Sequence, residues 1–207
     1  MHKISNKEPI YDADSYDVIL IGISTHNKLM GNFQKKMAIK FPIIEKVDDS
    51  TAYGDIKKLG KNITIHDNIP IVCLMYVCTY PTKNTYLDYN ALETCLQKAN
   101  KEFKGKKVMT TIIGSTKFDG KGDKEKCLKI IEENTKDLDL YVYDYEQISI
   151  SEEINRQNNY FANLRKQYKG NKEMLDKLTE LSKQMRKKTF LPEKKSNKDK
   201  NNNILNF

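Results

Sequence analysis

The chain has 207 residues, 38% of them hydrophobic and 31% charged, enough for one domain with a full core plus an appendage. No apolar run approaches the ~20 residues a membrane span requires, which excludes a membrane partner, and the opening MHKISNKEPI has no apolar signal segment, so the expectation is cytoplasmic (host cytoplasm, or a virion). The net charge of +8 is uneven: residues 151–207 hold 14 basic and 7 acidic residues, against 22 and 21 in the first 150. A neutral domain followed by a basic extension suggests an acidic partner acting on the extension; a coding bias toward Lys and Asn explains the same imbalance equally well.

In chain order, residues 18–23 (VILIGI) read as a buried strand that runs through a polar turn into a helix over 33–41, closed by Pro42. That layout carries phosphates or sugars to helix N-termini, although such loops normally bring two or three glycines. Residues 62–66 and 71–79 read as strands joined by an Asp67-Asn68 turn. Leu92, Cys95, Leu96 and Ala99 mark a helix over 89–103, ended by Gly105. A strand over 108–113, a helix over 124–135 and a strand over 138–145 follow. Alternating strands and helices favour an α/β sheet covered on both faces. Cys73, Cys78, Cys95 and Cys127 lack CxxC spacing and read as buried thiols of a reducing compartment. The three histidines are scattered, so neither metal nor cofactor is expected.

After Gln147 the character changes. Ser149-Ile150-Ser151-Glu152 is a capping box that opens a helix carrying Ile154, Phe161, Leu164 and Tyr168. Beyond Lys169-Gly170-Asn171 a second helix carries Met174, Leu178, Leu181 and Met185, a stripe too narrow to be stable alone. Residues 191–207 are polar and of low complexity. The divisions expected are 1–147, 148–190 and 191–207. The basic face of the extension, Arg165, Lys166, Lys169, Arg186, Lys187 and Lys188, is the candidate surface for neighbouring protein subunits or nucleic acid.

Four stretches taken in order, GISTHNKLMGNFQKKMAIKFP, STAYGDIKKLG, YLDYNALETCLQKANKEFKGKKV and VMTTIIGSTKFDGKGDKEKCLKIIEE, resemble a macro domain, the fold that binds ADP-ribose, over roughly residues 10–146. More narrowly they resemble the ADP-ribose-1″-phosphate phosphatase-like branch. The resemblance implies a three-layer, mixed, roughly six-stranded sheet with helices on both faces, here followed by a basic helical extension and an extended tail. It implies a ligand held by the loops after residues 18–23 and 108–113, with Asp12 the match for the acidic residue that contacts adenine. A carboxylate suits that role because it accepts the amino hydrogens; a solvated turn aspartate is the plain alternative.

The departures from the family pattern are several. Thr25 stands where an asparagine orients the distal ribose. The Met-Gly-x-Gly pattern becomes Met30-Gly31-Asn32-Phe33, and Ile-Gly-x-Gly becomes Ile113-Gly114-Ser115-Thr116. A Cβ where positive φ is required costs about 1–2 kcal/mol, and a benzyl group at Phe33 would fill diphosphate space. Asn27 and His26 are the weak candidates for replacing the lost chemistry, as orienting amide and general base. Phe118 would stack on a base or cap the core; Lys117 and Lys121 would attract phosphate or stay solvated. The expectation is therefore a degenerate ligand site, ADP-ribose bound weakly at best, and a non-enzymatic assembly subunit of phage or virion type. The alternative is a domain that binds ADP-ribose derivatives or hydrolyses ADP-ribose-1″-phosphate.

Overall fold

The computed structural model describes residues 1–5, 9–29, 31–66, 69–80, 84, 86–116, 119–144 and 150–190, the last span by backbone alone at 150–157 and 184–190. The expected Asp67-Asn68 turn, the Ser149 cap, Lys117, Phe118, the side chains of Arg186, Lys187 and Lys188, and residues 191–207 lie outside the described residues. The chain divides into two compact units, Met1–Gln147 and Ile148–Phe207.

The first unit contains β1 (His2–Ser5), α1 (Pro9–Asp12), β2 (Val18–Ser24), α2 (Asn32–Lys40), α3 (Ile43–Asp49), β3 (Asn62–Ile65), β4 (Ile71–Cys78), α4 (Tyr89–Glu102), β5 (Lys107–Thr111), α5 (Lys124–Asn134) and β6 (Asp139–Asp144). The strands form one six-stranded sheet in the order β1-β6-β5-β2-β4-β3. All pairs are parallel except β3 against β4. β2 lies between β4 and β5, and all seven of its residues are buried, as its uninterrupted apolar run requires of a strand covered on both faces.

Each face of the sheet has its own core. Leu20, Met75, Val108 and Leu140 pack under Leu92, Cys95 and Leu96 of α4 and Cys127 and Ile131 of α5. Ile19, Ile21, Leu74 and Tyr143 pack on the other face with Phe33 and Met37 of α2 and Ile44 of α3. The helices start where short polar side chains satisfy the open amides: Asp88 accepts from the Ala91 amide at 2.9 Å and Asp123 from the Lys126 amide at 2.7 Å. The four cysteines are free and buried, and burial pushes the Cys95 and Cys127 thiols up to about 12 and those of Cys73 and Cys78 well above the ordinary thiol value. Among the described residues no helix is long and apolar enough to cross a membrane.

The second unit contains α6 (Ile150–Gln167) and α7 (Lys172–Phe190). They reverse at Gly170, whose φ of +97° suits a residue without Cβ, and the Asn171 side chain accepts from the Met174 amide at 3.1 Å. Phe161 and Leu178 are buried, while Leu181 is 47% exposed, so the apolar stripe is narrower still than its spacing suggests. Arg165, Lys166 and Lys169 are exposed, and the Arg165 guanidinium donates across to the Ser182 hydroxyl at 3.4 Å.

Candidate functional site

Because β2, β5 and β6 run parallel, their C-terminal ends deliver three chain segments to one edge of the sheet. A cleft opens there, lined by Phe33, Thr111, Ile112, Ser115, Thr116, Asp119 and Asp144. Its free volume is about 20 Å³, room for roughly one water molecule. Phe33 from α2 forms one wall and the loop after β5 the other.

The loop after β2 is held from beneath by a buried polar cluster. Asn27 has φ +48°, a left-handed conformation that asparagine tolerates better than most residues. Its amide donates to the carbonyls of Asp48 (2.7 Å) and Thr51 (2.9 Å), and its oxygen accepts from the Lys58 ammonium at 2.6 Å. Lys58, only 7% exposed, also donates to the Thr51 hydroxyl at 2.9 Å and lies 4.7 Å from the Tyr76 ring centre. Burial lowers the Lys58 pKa and raises that of Asp48, whose carboxylate accepts from the Tyr76 hydroxyl at 2.9 Å. Asn27 is thus a clamp between loop and α3, with both amide hydrogens spent on carbonyls. His26 stands between two exposed rings, edge-on to Tyr53 (5.3 Å) and Tyr80 (5.0 Å), and its Nδ1 lies 3.1 Å from the Thr25 hydroxyl. Thr25 is buried and its amide donates to the Cys78 carbonyl.

Gly31 precedes α2 with φ −76°, and its amide donates to the Gln34 side chain at 3.0 Å. Gln34 in turn donates to the Gly22 carbonyl, tying the helix start to β2. Asn32 and Phe33 occupy the first turn of α2 in ordinary helical backbone. Among the described non-glycine residues only Asn27 and Lys121 have positive φ. The expected strain at Phe33 and Thr116 is therefore absent: neither position requires the left-handed region, so the lost glycines cost no backbone energy there.

The loop after β5 keeps its glycines where they matter. Gly114 has φ +77°, and a Cβ there would lie 2.5 Å from a Leu87 methyl. The Gly122 amide donates to the Gly114 carbonyl at 2.8 Å, and the amides of Tyr86 and Leu87 both donate to the Gly120 carbonyl. Inside this closed turn sits Asp119, half-buried, whose Oδ1 accepts from the Thr116 amide and from the Thr116 hydroxyl, both at 2.7 Å. The nearby Gly114 backbone also favours its charged form. Such interactions normally lower a carboxyl pKa, yet burial outweighs them and pushes Asp119 up to about 6. The Ser115 hydroxyl donates to the Ile112 carbonyl at 2.7 Å. Asp144, across the cleft, pairs with Lys124 at 2.7 Å.

Of the residues expected from sequence, the cleft brings together Phe33, Ser115 and Thr116, with Gly114 supporting the loop behind them. Gly31 and Asn32 lie just behind Phe33, at the start of α2. Thr25, His26 and Asn27 belong to the neighbouring loop, outside the cleft lining, and Asp12 is also outside it. The Asp12 carboxylate accepts from the buried Tyr143 hydroxyl at 2.8 Å, which itself lies 2.9 Å from the Tyr16 hydroxyl. Burial, then these partners, raise the Tyr143 pKa. Sequence reasoning overlooked Asp119 and Asp144; the only available signals were an Asp-Gly pair inside a glycine-bearing loop and an aspartate ending a strand.

No protein-family model matches the chain, and no curated protein sequence matches it either. Solved structures do. A protein of unknown function from Bacteroides thetaiotaomicron aligns with a TM-score of 0.54 and 17% identity, covering 70% of this chain and 99% of that one. The macrodomain of Mycobacterium tuberculosis DarG aligns at 0.51 with 12% identity, covering 70% and 98%. The fold is that of a macro domain. Thermosipho africanus DarTG, solved in complex with ADP-ribose, aligns at 0.53 with 10% identity, covering 73% of this chain and 44% of its own. At such identities the macro-domain likeness concerns backbone architecture alone.

Proposed function

We propose that residues 1–147 form a ligand-binding macro domain that takes an ADP-ribose derivative in the cleft between the start of α2 and the loop after β5. The observation that carries this reading is the cleft's position, at the carboxyl ends of parallel strands, with Ser115, Thr116 and Asp119 of the loop after β5 as one wall. It is supported by the ordinary helical backbone at Phe33, which removes the conformational objection to a working site, and by the macro-domain fold shared with an ADP-ribose complex. The closed cleft requires Phe33 to turn aside for a diphosphate to enter. ADP-ribose-1″-phosphate is the derivative to test beside ADP-ribose, given the branch the sequence resembles. Titration calorimetry of both with the full chain decides: a dissociation constant near 1 μM, about −8 kcal/mol, supports the reading. No heat at millimolar ligand rejects it.

A second reading has its own observation. The cleft holds only about 20 Å³ with Phe33 6% exposed, and the second unit presents Arg165, Lys166 and Lys169 to solvent. On that reading the site is closed for good and the chain is an assembly subunit, its extension meeting acidic protein or a phosphate backbone. Absence of ADP-ribose binding together with salt-sensitive binding of the full chain to duplex nucleic acid or acidic protein, lost on removing residues 149–207, would favour it.

A further inference from the structure

Turns of successive backbone amides form anion-binding concavities, which is how glycine-rich loops hold phosphate. The loop after β5 is such a turn, but its amides are not waiting for a ligand. The Thr116 amide and the Thr116 hydroxyl are already taken by the carboxylate of Asp119, both at 2.7 Å. The turn is closed around it by the Gly122 amide on the Gly114 carbonyl and the Lys121 amide on the Thr116 carbonyl, both at 2.8 Å. Asp119, Ser115 and Thr116 all line the cleft, so the carboxylate takes donors of this loop on the cleft side.

We propose that Asp119 is a built-in anion that competes with ligand phosphate for the amides of its own loop, so that phosphate enters only when this carboxyl is protonated or swings out. This rests on taking the cleft as the ligand site. An ionised Asp119 withholds the donors and adds like-charge repulsion at a few ångströms; a protonated one releases the amides at little cost.

The groups facing Asp119 leave it as the titrating element. The Cys78 thiol of β4 donates to the Asp119 carbonyl at 3.0 Å, and Cys127 of α5 and the Tyr86 hydroxyl also feel its charge; all three are held neutral by burial. Asp144 of β6 is paired with Lys124 of α5, and the Lys121 ammonium lies 6.0 Å from the Tyr86 ring. With the Asp119 carboxyl at about 6, the protonated fraction rises from about 3% at pH 7.5 to about 90% at pH 5.0. Apparent anion affinity scales with the competent fraction, so it gains about 30-fold over that interval.

The test uses the full chain, isotope-labelled, and sodium sulfate, whose charge is constant over this range. Amide resonances of Gly114, Ser115 and Thr116 are followed during titration at constant ionic strength near pH 7.5 and pH 5.0. Wild type should gain about 30-fold in sulfate affinity on acidification. Asp119→Asn should bind at both pH values and should exceed wild type at pH 7.5. Equal wild-type affinity at the two pH values, or an Asn variant no better than wild type at pH 7.5, overturns the proposal; the wild-type series stands even if the variant folds poorly. A parallel ADP-ribose titration separates the two claims. The sulfate pattern without ADP-ribose binding keeps Asp119 in this role and removes the proposed function; ADP-ribose binding without the sulfate pattern does the reverse.

Discussion

Two glycines with nearly the same backbone angle should respond very differently to alanine. Gly105 has φ +73° with nothing within 4 Å of a built Cβ; Gly114 has φ +77°, with a Cβ 2.5 and 2.7 Å from the two Leu87 methyls. At both positions a Cβ in the left-handed region costs about 1–2 kcal/mol, partly offset by about 0.4–1 kcal/mol from a stiffer unfolded chain. Gly105→Ala should therefore lose only about 1 kcal/mol. Gly114→Ala adds overpacking, typically about 1–3 kcal/mol, because Leu87 has little room to retreat. Leu87 is 7% exposed and its amide is bonded to the Gly120 carbonyl at 3.0 Å, so its movement drags the loop that walls the cleft. The expected loss is about 2–4 kcal/mol. Urea unfolding followed by tyrosine fluorescence measures both, and a Leu87→Ala background isolates the contact: there Gly114→Ala should fall back to the Gly105→Ala value. Equal losses for the two alanines in the wild-type background would refute the packing account of this loop.

Asp119 makes stability pH-dependent with a definite sign. Its folded pKa of about 6 lies above the ordinary 3.8, so its contribution is fully present below pH ~4 and is lost as pH rises through ~6, by at most about 3 kcal/mol. Denaturation of Asp119→Asn against wild type across that window should show the difference growing in the variant's favour; a constant difference contradicts the assignment. Asn27→Ala removes the clamp on two carbonyls and the Lys58 ammonium and should cost about 3 kcal/mol or more, whereas His26→Ala, on a partly exposed ring, should cost about 1 or less. Thermal melts of the two variants rank them, and equal effects would deny Asn27 its structural role. A chain ending at Gln147 should remain soluble and melt cooperatively, since the six strands of the described sheet close before that residue; precipitation or a broad melt would assign the second unit to the same core.

The buried strands were legible because central parallel strands are uninterrupted apolar runs, as in residues 18–23 and 71–78. α4 and α5 were legible from three-and-four spacing. β1 was not: it is a four-residue edge strand with three exposed residues and no alternation. α3 was hidden by Pro42, which reads as a stop after α2 and in the fold also precedes the next helix. At the site, the pattern pointed to Phe33 and Thr116 because they replace motif glycines, and to Ser115 as the loop residue between Gly114 and Thr116; the cleft contains all three. It placed Phe33 in a helix and still treated the position as one that needs positive φ, a need the helical backbone there does not have. It missed Asp119 because a carboxylate satisfied by its own loop leaves no sequence signature beyond a turn-forming Asp-Gly. Asn27 read as spare polar chemistry, since its partners Asp48, Thr51 and Lys58 are 21 or more residues away.

Determination of the crystal structure after soaking with saturating ADP-ribose tests the central claim most directly. The account predicts the diphosphate between Phe33 and the Ser115-Thr116 turn, with the Phe33 ring rotated out of the cleft. A soaked crystal with Phe33 unmoved and ligand density elsewhere or absent would contradict it.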